Sequence, residues 1–346
     1  TSNTDHLVGV EGVIGGSYND TFYGADLGDS GVNYFEGGLS EDTLNGDLIT
    51  GGGSYYSNGD GGTWNVVSAM HLDQAEANCH VVVNLADTTS DGYNNSGGTL
   101  KIYDSDNAFV AIQTLTNIQE VMGSSGNDTF TGGAGQQTFA GLAGADSIVG
   151  GADSDDVSYA MDQGGFGVIV NLGTDSISAD VGRGSEPVDG GHALDSWGDD
   201  DTLSGIENVI GSFYDDYIRG SDETNYIQGL AGDDTLIGND DTLGGGDWVS
   251  YCDDVVRNEY NGYGVIVNLS NAMVTHWDGV TSVDAHTALD GWGDTDSLAG
   301  FVNVEGSKYA DLLVGDGDNN YLSADDGDDL LMGGDGDNTL DGGDGD

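Results

Sequence analysis

The sequence predicts an all-β chain of stacked parallel coils, a β-solenoid. Three observations predict it: an apolar residue recurs every nine positions, glycine-rich turns lie between those residues, and an acid or amide stands two positions before each of them. The period is cleanest in two stretches. Phe130, Phe139, Ile148 and Val157 follow Asp128, Gln137, Asp146 and Asp155, and Leu313, Leu322, Leu331 and Leu340 follow Asp311, Asn320, Asp329 and Asn338. Between them Ile218, Ile227 and Leu236 follow Asp216, Asn225 and Asp234, and a longer step leads to Asp247 and Val249. Near the start, Asp20, Asn33 and Asp42 hold the same place at wider and then regular spacing.

Each unit reads as a turn followed by a very short strand. Glycines allow the positive φ angles and close approach that tight stacked turns need. Strand residues alternate between faces, so the lone apolar side chain points inward. Two units make one coil of 18 residues, which places residues 18 apart above one another on the same edge. Asp128 then lies under Asp146, Asp216 under Asp234, Asp311 under Asp329, and Asn320 under Asn338.

Such acidic ladders repel unless something neutralises them. The whole chain has the same problem: 62 Asp and Glu stand against 5 Lys and Arg, a formal net charge of -57. Leu, Ile, Val and Phe make up about 22% of the chain, just above the roughly 20% below which a highly charged chain stays disordered. The charge argues against nucleic acid and anionic membranes as partners, and no apolar run is long enough for a membrane span. Carboxylates joined by turn carbonyls form an all-oxygen donor set, which suits Ca²⁺ rather than a transition metal. Two cysteines, Cys79 and Cys252, make neither a disulfide framework nor a zinc site and read as small packed thiols.

A coarser repeat divides the chain. Val13-Ile14-Gly15, Val121-Met122-Gly123, Val209-Ile210-Gly211 and Val304-Glu305-Gly306 each lead to an acid of the nine-residue series. The boundaries are read as module one at 1–115, module two at 116–203, module three at 204–298 and a shortened module four at 299–346. Residues 156–159 with 167–172, and 248–251 with 264–269, read as strands that extend or cap each roll, and residues 73–77 as one helical turn. The elements around His192, Asp195 and Trp197, and around His286, Asp290 and Trp292, repeat in two modules. That repetition suits a structural corner or an extra calcium site better than an active site, and no H-E-x-x-H, G-x-S-x-G or P-loop occurs. No enzymatic activity is expected.

The units Gly141-Leu142-Ala143-Gly144-Ala145-Asp146-Ser147-Ile148-Val149, Gly229-Leu230-Ala231-Gly232-Asp233-Asp234-Thr235-Leu236-Ile237 and Gly333-Gly334-Asp335-Gly336-Asp337-Asn338-Thr339-Leu340-Asp341 resemble the nonapeptide of RTX proteins, G-G-x-G-x-D-x-U-x. About a dozen such units stand in register, over roughly a third of the chain, and the longer modules resemble the spaced RTX modules of large secreted proteins. The resemblance implies a calcium-bound parallel β-roll exported by a bacterium, extracellular or at the cell surface, that folds in calcium-rich medium. The expected ligands are Asp20, Asp42, Asp128, Asp146, Asp155, Asp216, Asn225, Asp234, Asp247, Asp311, Asn320, Asp329, Asn338, Asp344 and Asp346. Gln137 departs from the pattern and should weaken one ladder.

Thr4 to Gly15 match residues 201–211, so the first residues enter at a roll, and the last stop partway through a repeat. Open ends of this kind imply either head-to-tail stacking into a homopolymer or a segment of a longer array. The expected function is a calcium-dependent structural subunit of an extracellular filament, surface layer or biofilm matrix. The alternatives are a non-catalytic appendage of a secreted protease, lipase or alginate epimerase, and an adhesin segment that binds extracellular polysaccharide.

Overall fold

The computed structural model describes residues 12–15, 19–23, 32–37, 41–45, 64–70, 79–85, 98–116, 118–239, 246–254, 263–277, 279 and 281–345. Among them are 33 strands and no helix. Residues 73–77 lie outside the described residues. The chain divides into two compact units, Thr1–Asp155 and Asp156–Asp346.

The nine-residue period becomes alternation between two parallel sheets. In the first unit Thr129–Thr131 pairs in parallel with Ser147–Val149, with Phe130 opposite Ile148. Thr138–Ala140 lies in the other sheet and pairs with Glu120–Met122. Phe130, Phe139 and Ile148 are buried between the two sheets, the Phe rings 5.9 Å apart. The second unit repeats the pattern: Ile218 opposes Leu236 in one sheet and Val209 opposes Ile227 in the other. Further along, Leu313 opposes Leu331, and Leu322 opposes Leu340. The 18-residue register is therefore the coil. Wider steps are absorbed in the turn, since Phe22 still opposes Leu44 and Ile227 still opposes Val249.

The segments between arrays extend one sheet of the roll. In module three Tyr263–Asn268 pairs in parallel with Ala310–Val314 and antiparallel with Thr287–Leu289. Thr287–Leu289 in turn runs antiparallel to Thr295–Ala299, which is parallel to Thr235–Ile237. Each insertion thus reverses direction twice and returns the sheet to parallel. Module two does the same through Ile169–Asn171, His192–Leu194 and Asp200–Ser204, and module one through His80–Asn84, Gly98–Tyr103 and Phe109–Thr116. Neither cysteine is in a disulfide; burial pushes the Cys252 thiol up to about 12. No described helix is long and apolar enough to cross a membrane.

Candidate metal centre

The acid two positions before each inward apolar residue ends a turn, and its side chain folds back into that turn. Asp128, Asp146, Asp155, Asp216, Asp234, Asp247 and Asp311 are all buried. The rungs are linked directly. Asp128 N–H donates to Asp146 Oδ1 (2.7 Å), Asp216 N–H to Asp234 Oδ1 (2.8 Å) and Asp311 N–H to Asp329 Oδ1 (2.8 Å). Across the wider step Asp20 N–H donates to Asp42 Oδ1 at 2.7 Å. Each carboxylate therefore spends one oxygen on the rung beneath it.

Three serines begin these ladders, and sequence reasoning missed them. Ser212 donates to Asp216 through both its N–H (2.6 Å) and its hydroxyl (2.7 Å), and Val168 N–H adds a third bond at 2.7 Å. Ser307 and Val265 treat Asp311 in the same way, and Ser124 and Val81 treat Asp128 likewise. The signal was present, because each serine directly follows the anchoring glycine of its module.

The next acid up is not closed off. Asp234 Oδ2 and Asp329 Oδ2 are buried atoms with no hydrogen-bond partner. Asp234 N–H donates to Asp296 Oδ1 (3.1 Å), so Asp216, Asp234 and Asp296 form a run of three stacked carboxylates. Asp296 lies outside the nine-residue series and carries no signal of its own in the sequence. Burial, with the neighbouring acids, pushes Asp234 and Asp296 well above the usual carboxylate range. Buried ionised carboxylates are tolerated only when a partner compensates them.

Glycine lets the oxygens that could hold such a partner pack closely together. A Cβ at Gly229 would collide with Asp234 Oδ2, and one at Gly211 would collide with Asp216 Oδ2 and with the Gly229 carbonyl oxygen. Gly232, at φ 130°, lies over the Tyr214 carbonyl of the rung below. Carboxylate and carbonyl oxygens thus crowd around side-chain-free positions, a donor set that fits a hard divalent cation. Among the described residues, no group of three or more His, Cys, Asp or Glu side chains is placed to hold a metal. A cation here would depend on carbonyls as much as on carboxylates.

The family model of the RTX calcium-binding nonapeptide repeat (4 copies) matches residues 132–160, 201–236, 210–247, 303–331 and 323–346. The chain carries RTX repeats. The matched residues are less than half of the chain, and they include every turn-ending acid of the rolls named above except Asp20, Asp42, Asp128 and Asp296. RTX repeats bind Ca²⁺ and form parallel β-rolls, the architecture described here. No curated protein matches the chain.

The opposite edge of each roll is built differently. Gln137 is buried; its Oε1 accepts Gly133 N–H at 2.8 Å, and its amide nitrogen donates to the carbonyls of Ala134 (3.0 Å) and Gly135. Asn225 Nδ2 donates to Glu207 O (2.7 Å), Asn320 Nδ2 to Val302 O (2.9 Å) and Asn338 Nδ2 to Asp335 O (3.1 Å). In the first unit Asn33 donates to Asn65, and Asn65 donates to Gln119, at 2.8 and 3.0 Å. An amide nitrogen thus reaches turn or neighbouring-rung carbonyls along this edge. Asp155, Glu207 and Asp247 are described acids on it, with Asp155 accepting from Gln137 N–H (2.8 Å) and Asp247 from Asn225 N–H (2.7 Å). Asp344 is exposed, and Asp346 lies outside the described residues.

The repeated His–Asp–Trp elements do not pair their own His and Asp. His192 Nδ1 meets Asp200 (3.2 Å) and His286 Nε2 meets Asn271 (3.0 Å), while Asp195 and Asp290 fold into their own turns.

Proposed function

We propose that this chain is a secreted bacterial structural protein whose rolls fold and stiffen as Ca²⁺ enters the acid-lined turns. The observation that carries the reading is the buried ladder Asp216–Asp234–Asp296, with an unpartnered oxygen on Asp234. Asp20, Asp42, Asp128, Asp146, Asp155, Asp216, Asp234, Asp247, Asp311, Asp329 and Asp344, with the turn carbonyls, would hold the metal. Bound Ca²⁺ supplies the positive charge that lets stacked carboxylates remain ionised while buried. At the Asn225, Asn320 and Asn338 turns the amide nitrogen does part of that work.

The energetics suit a switch at the cell boundary. Extracellular calcium modules bind with Kd on the order of 10⁻⁴ to 10⁻³ M. At about ten times Kd each site adds roughly 1.4 kcal/mol, so half a dozen sites approach a whole domain's stability. In a cytosol with little free calcium that contribution vanishes.

The structural role is assembly into a filament, surface layer or matrix, without catalysis. Leu330, Met332 and Leu340 are 43–49% exposed, apolar area that contact with another copy would cover. Exposed Trp197, Phe213 and Trp277 would suit contact with extracellular polysaccharide. Electron microscopy and limited proteolysis, each with calcium and with EGTA, test the reading. Expected are protease-resistant assemblies in calcium that disperse and are digested in EGTA. Single-subunit particles in calcium would overturn assembly, and equal digestion in both would overturn calcium-driven folding.

A further inference from the structure

Beside the ladder, the insertions of modules two and three build the same corner from different residues of the chain. In module three Asp254 Oδ2 accepts the N–H of Gly291 (2.7 Å), which sets its carboxylate against the turn that Asp290 begins. Asp290 Oδ1 accepts the N–H groups of Gly293 and Asp294 at 2.6 and 2.7 Å. The remaining oxygens, Asp254 Oδ1 and Asp290 Oδ2, are buried and without hydrogen-bond partners, on side chains only 1% and 3% exposed. In module two Asp162 and Asp195 repeat the arrangement: Ser196 N–H points at Asp162 Oδ2 (3.3 Å), and Asp162 Oδ1 and Asp195 Oδ2 are buried and unpartnered.

Module one shows what the turn alone requires. Asp104 makes the same turn, accepting the N–H groups of Asp106 and Ala108 at 3.0 and 2.8 Å, yet these bonds lie at the exposed surface. A capping Asp therefore needs neither burial nor a second carboxylate beside it. The paired acids of the other two corners have another purpose.

Module two reveals what it is. Arg183 reaches into its corner, and Nη2 donates to the carbonyl oxygens of Asp195 (2.6 Å) and Gly167 (2.7 Å). The guanidinium acts electrostatically on Asp195 and Asp216, so a cation already sits in this corner. By strand register, Gly264 and Asp290 are the module-three counterparts of Gly167 and Asp195. The hairpin loop there reads His276-Trp277-Asp278-Gly279-Val280-Thr281 and holds no Lys or Arg. Asp254 and Asp290 lie near three more acids, Asp234, Asp296 and Asp311.

We propose that the module-three corner is a second kind of Ca²⁺ site, held by Asp254 Oδ1 and Asp290 Oδ2 apart from the nonapeptide turns, and that Arg183 takes the cation's place in module two. Two carboxylates with nearby carbonyls form a hard, all-oxygen donor set, as Ca²⁺ prefers.

A calcium inventory of the full chain tests this. In crystals grown with calcium, a long-wavelength anomalous map should show a peak between Asp254 and Asp290 and none between Asp162 and Asp195. Peaks in the nonapeptide turns with none at Asp254–Asp290 would overturn the proposal and leave the turn sites standing. A peak in both corners would overturn the role given to Arg183, and no peak anywhere would count against both kinds of site. In solution Asp290→Asn, which keeps the turn-capping oxygen, should bind one Ca²⁺ fewer than the parent by equilibrium dialysis, whereas Asp195→Asn should bind the same number. Equal counts for Asp290→Asn and the parent contradict the proposal. The map of the parent chain decides the matter even where a variant does not fold.

Discussion

The two edges of each roll solve one stacking problem with different chemistry. On one edge the turn-ending residue is an acid through Asp20, Asp42, Asp128, Asp146, Asp216, Asp234, Asp311 and Asp329. On the other it is mostly an amide: Asn33, Asn65, Gln119 and Gln137 in the first unit, Asn225, Asn320 and Asn338 in the second. An amide carries both a donor and an acceptor, so a column of amides can satisfy itself. A carboxylate only accepts, so a column of carboxylates needs protons or a cation. The difference points to the carboxylates, more than the amides, as the groups that need a cation, since the amide nitrogens already reach turn and neighbouring-rung carbonyls.

Truncation separates the edges most strongly. Asp216→Ala removes the acceptor of Ser212 N–H, Ser212 Oγ and Val168 N–H together. With bonds to a charged group each contributing about 1.5–3 kcal/mol, a loss of several kcal/mol is expected by denaturant unfolding in calcium. Gln137→Ala, on the other edge, should cost about 1–3 kcal/mol and leave the calcium midpoint unchanged.

Protons should replace calcium at the buried acids. Burial raises Asp195 to about 6, Asp290 to about 7, and Asp162 and Glu305 to about 8. A carboxylate whose folded value lies above its unfolded one stabilises the fold fully below the unfolded value, near pH 4, and that stability is lost as pH rises through the folded value. In EGTA the chain should therefore be more stable at pH 5 than at pH 8, with the loss accumulating from about pH 4 up to about pH 8. Thermal unfolding across that range checks it, and a stability that rises with pH would break the comparison.

A smaller effect comes from converting one edge into the other. Asn225→Asp removes the bond from Nδ2 to Glu207 O and adds a buried charge. It should cost about 1–3 kcal/mol in EGTA, recovered at least in part by calcium titration. Gly232→Ala forces a side chain into φ 130° against the Tyr214 carbonyl and should cost about 1–3 kcal/mol with or without calcium, by denaturant unfolding. Smallest is Asp104→Asn, whose exposed turn keeps its accepting oxygen. Its effect should lie within about 0.5 kcal/mol in the same assay.

What the sequence discloses follows from what repeats in it. The inward set Phe130, Phe139 and Ile148 and the 18-residue register are legible because repeat and coil are the same object. The acid ladder is legible for the same reason. Ser212, Asp296 and Arg183 were missed because each acts outside the nine-residue period: Ser212 within its own turn, Asp296 across 62 residues, and Arg183 in module two. Asp254 lies 36 residues before Asp290, and only strand register brings it to the same corner. The amide edge was visible as residue types but not as chemistry, since an Asn bonded to a neighbouring-rung carbonyl and an Asn offered to a metal have the same letter.

The measurement that bears most directly on the calcium-dependent ladder is far-UV circular dichroism of the whole chain in EGTA, titrated with calcium at pH 7.5. Expected is weak β signal in EGTA and a cooperative rise to full β content as calcium enters the acid edge. Equal β content in EGTA and in millimolar calcium would contradict it.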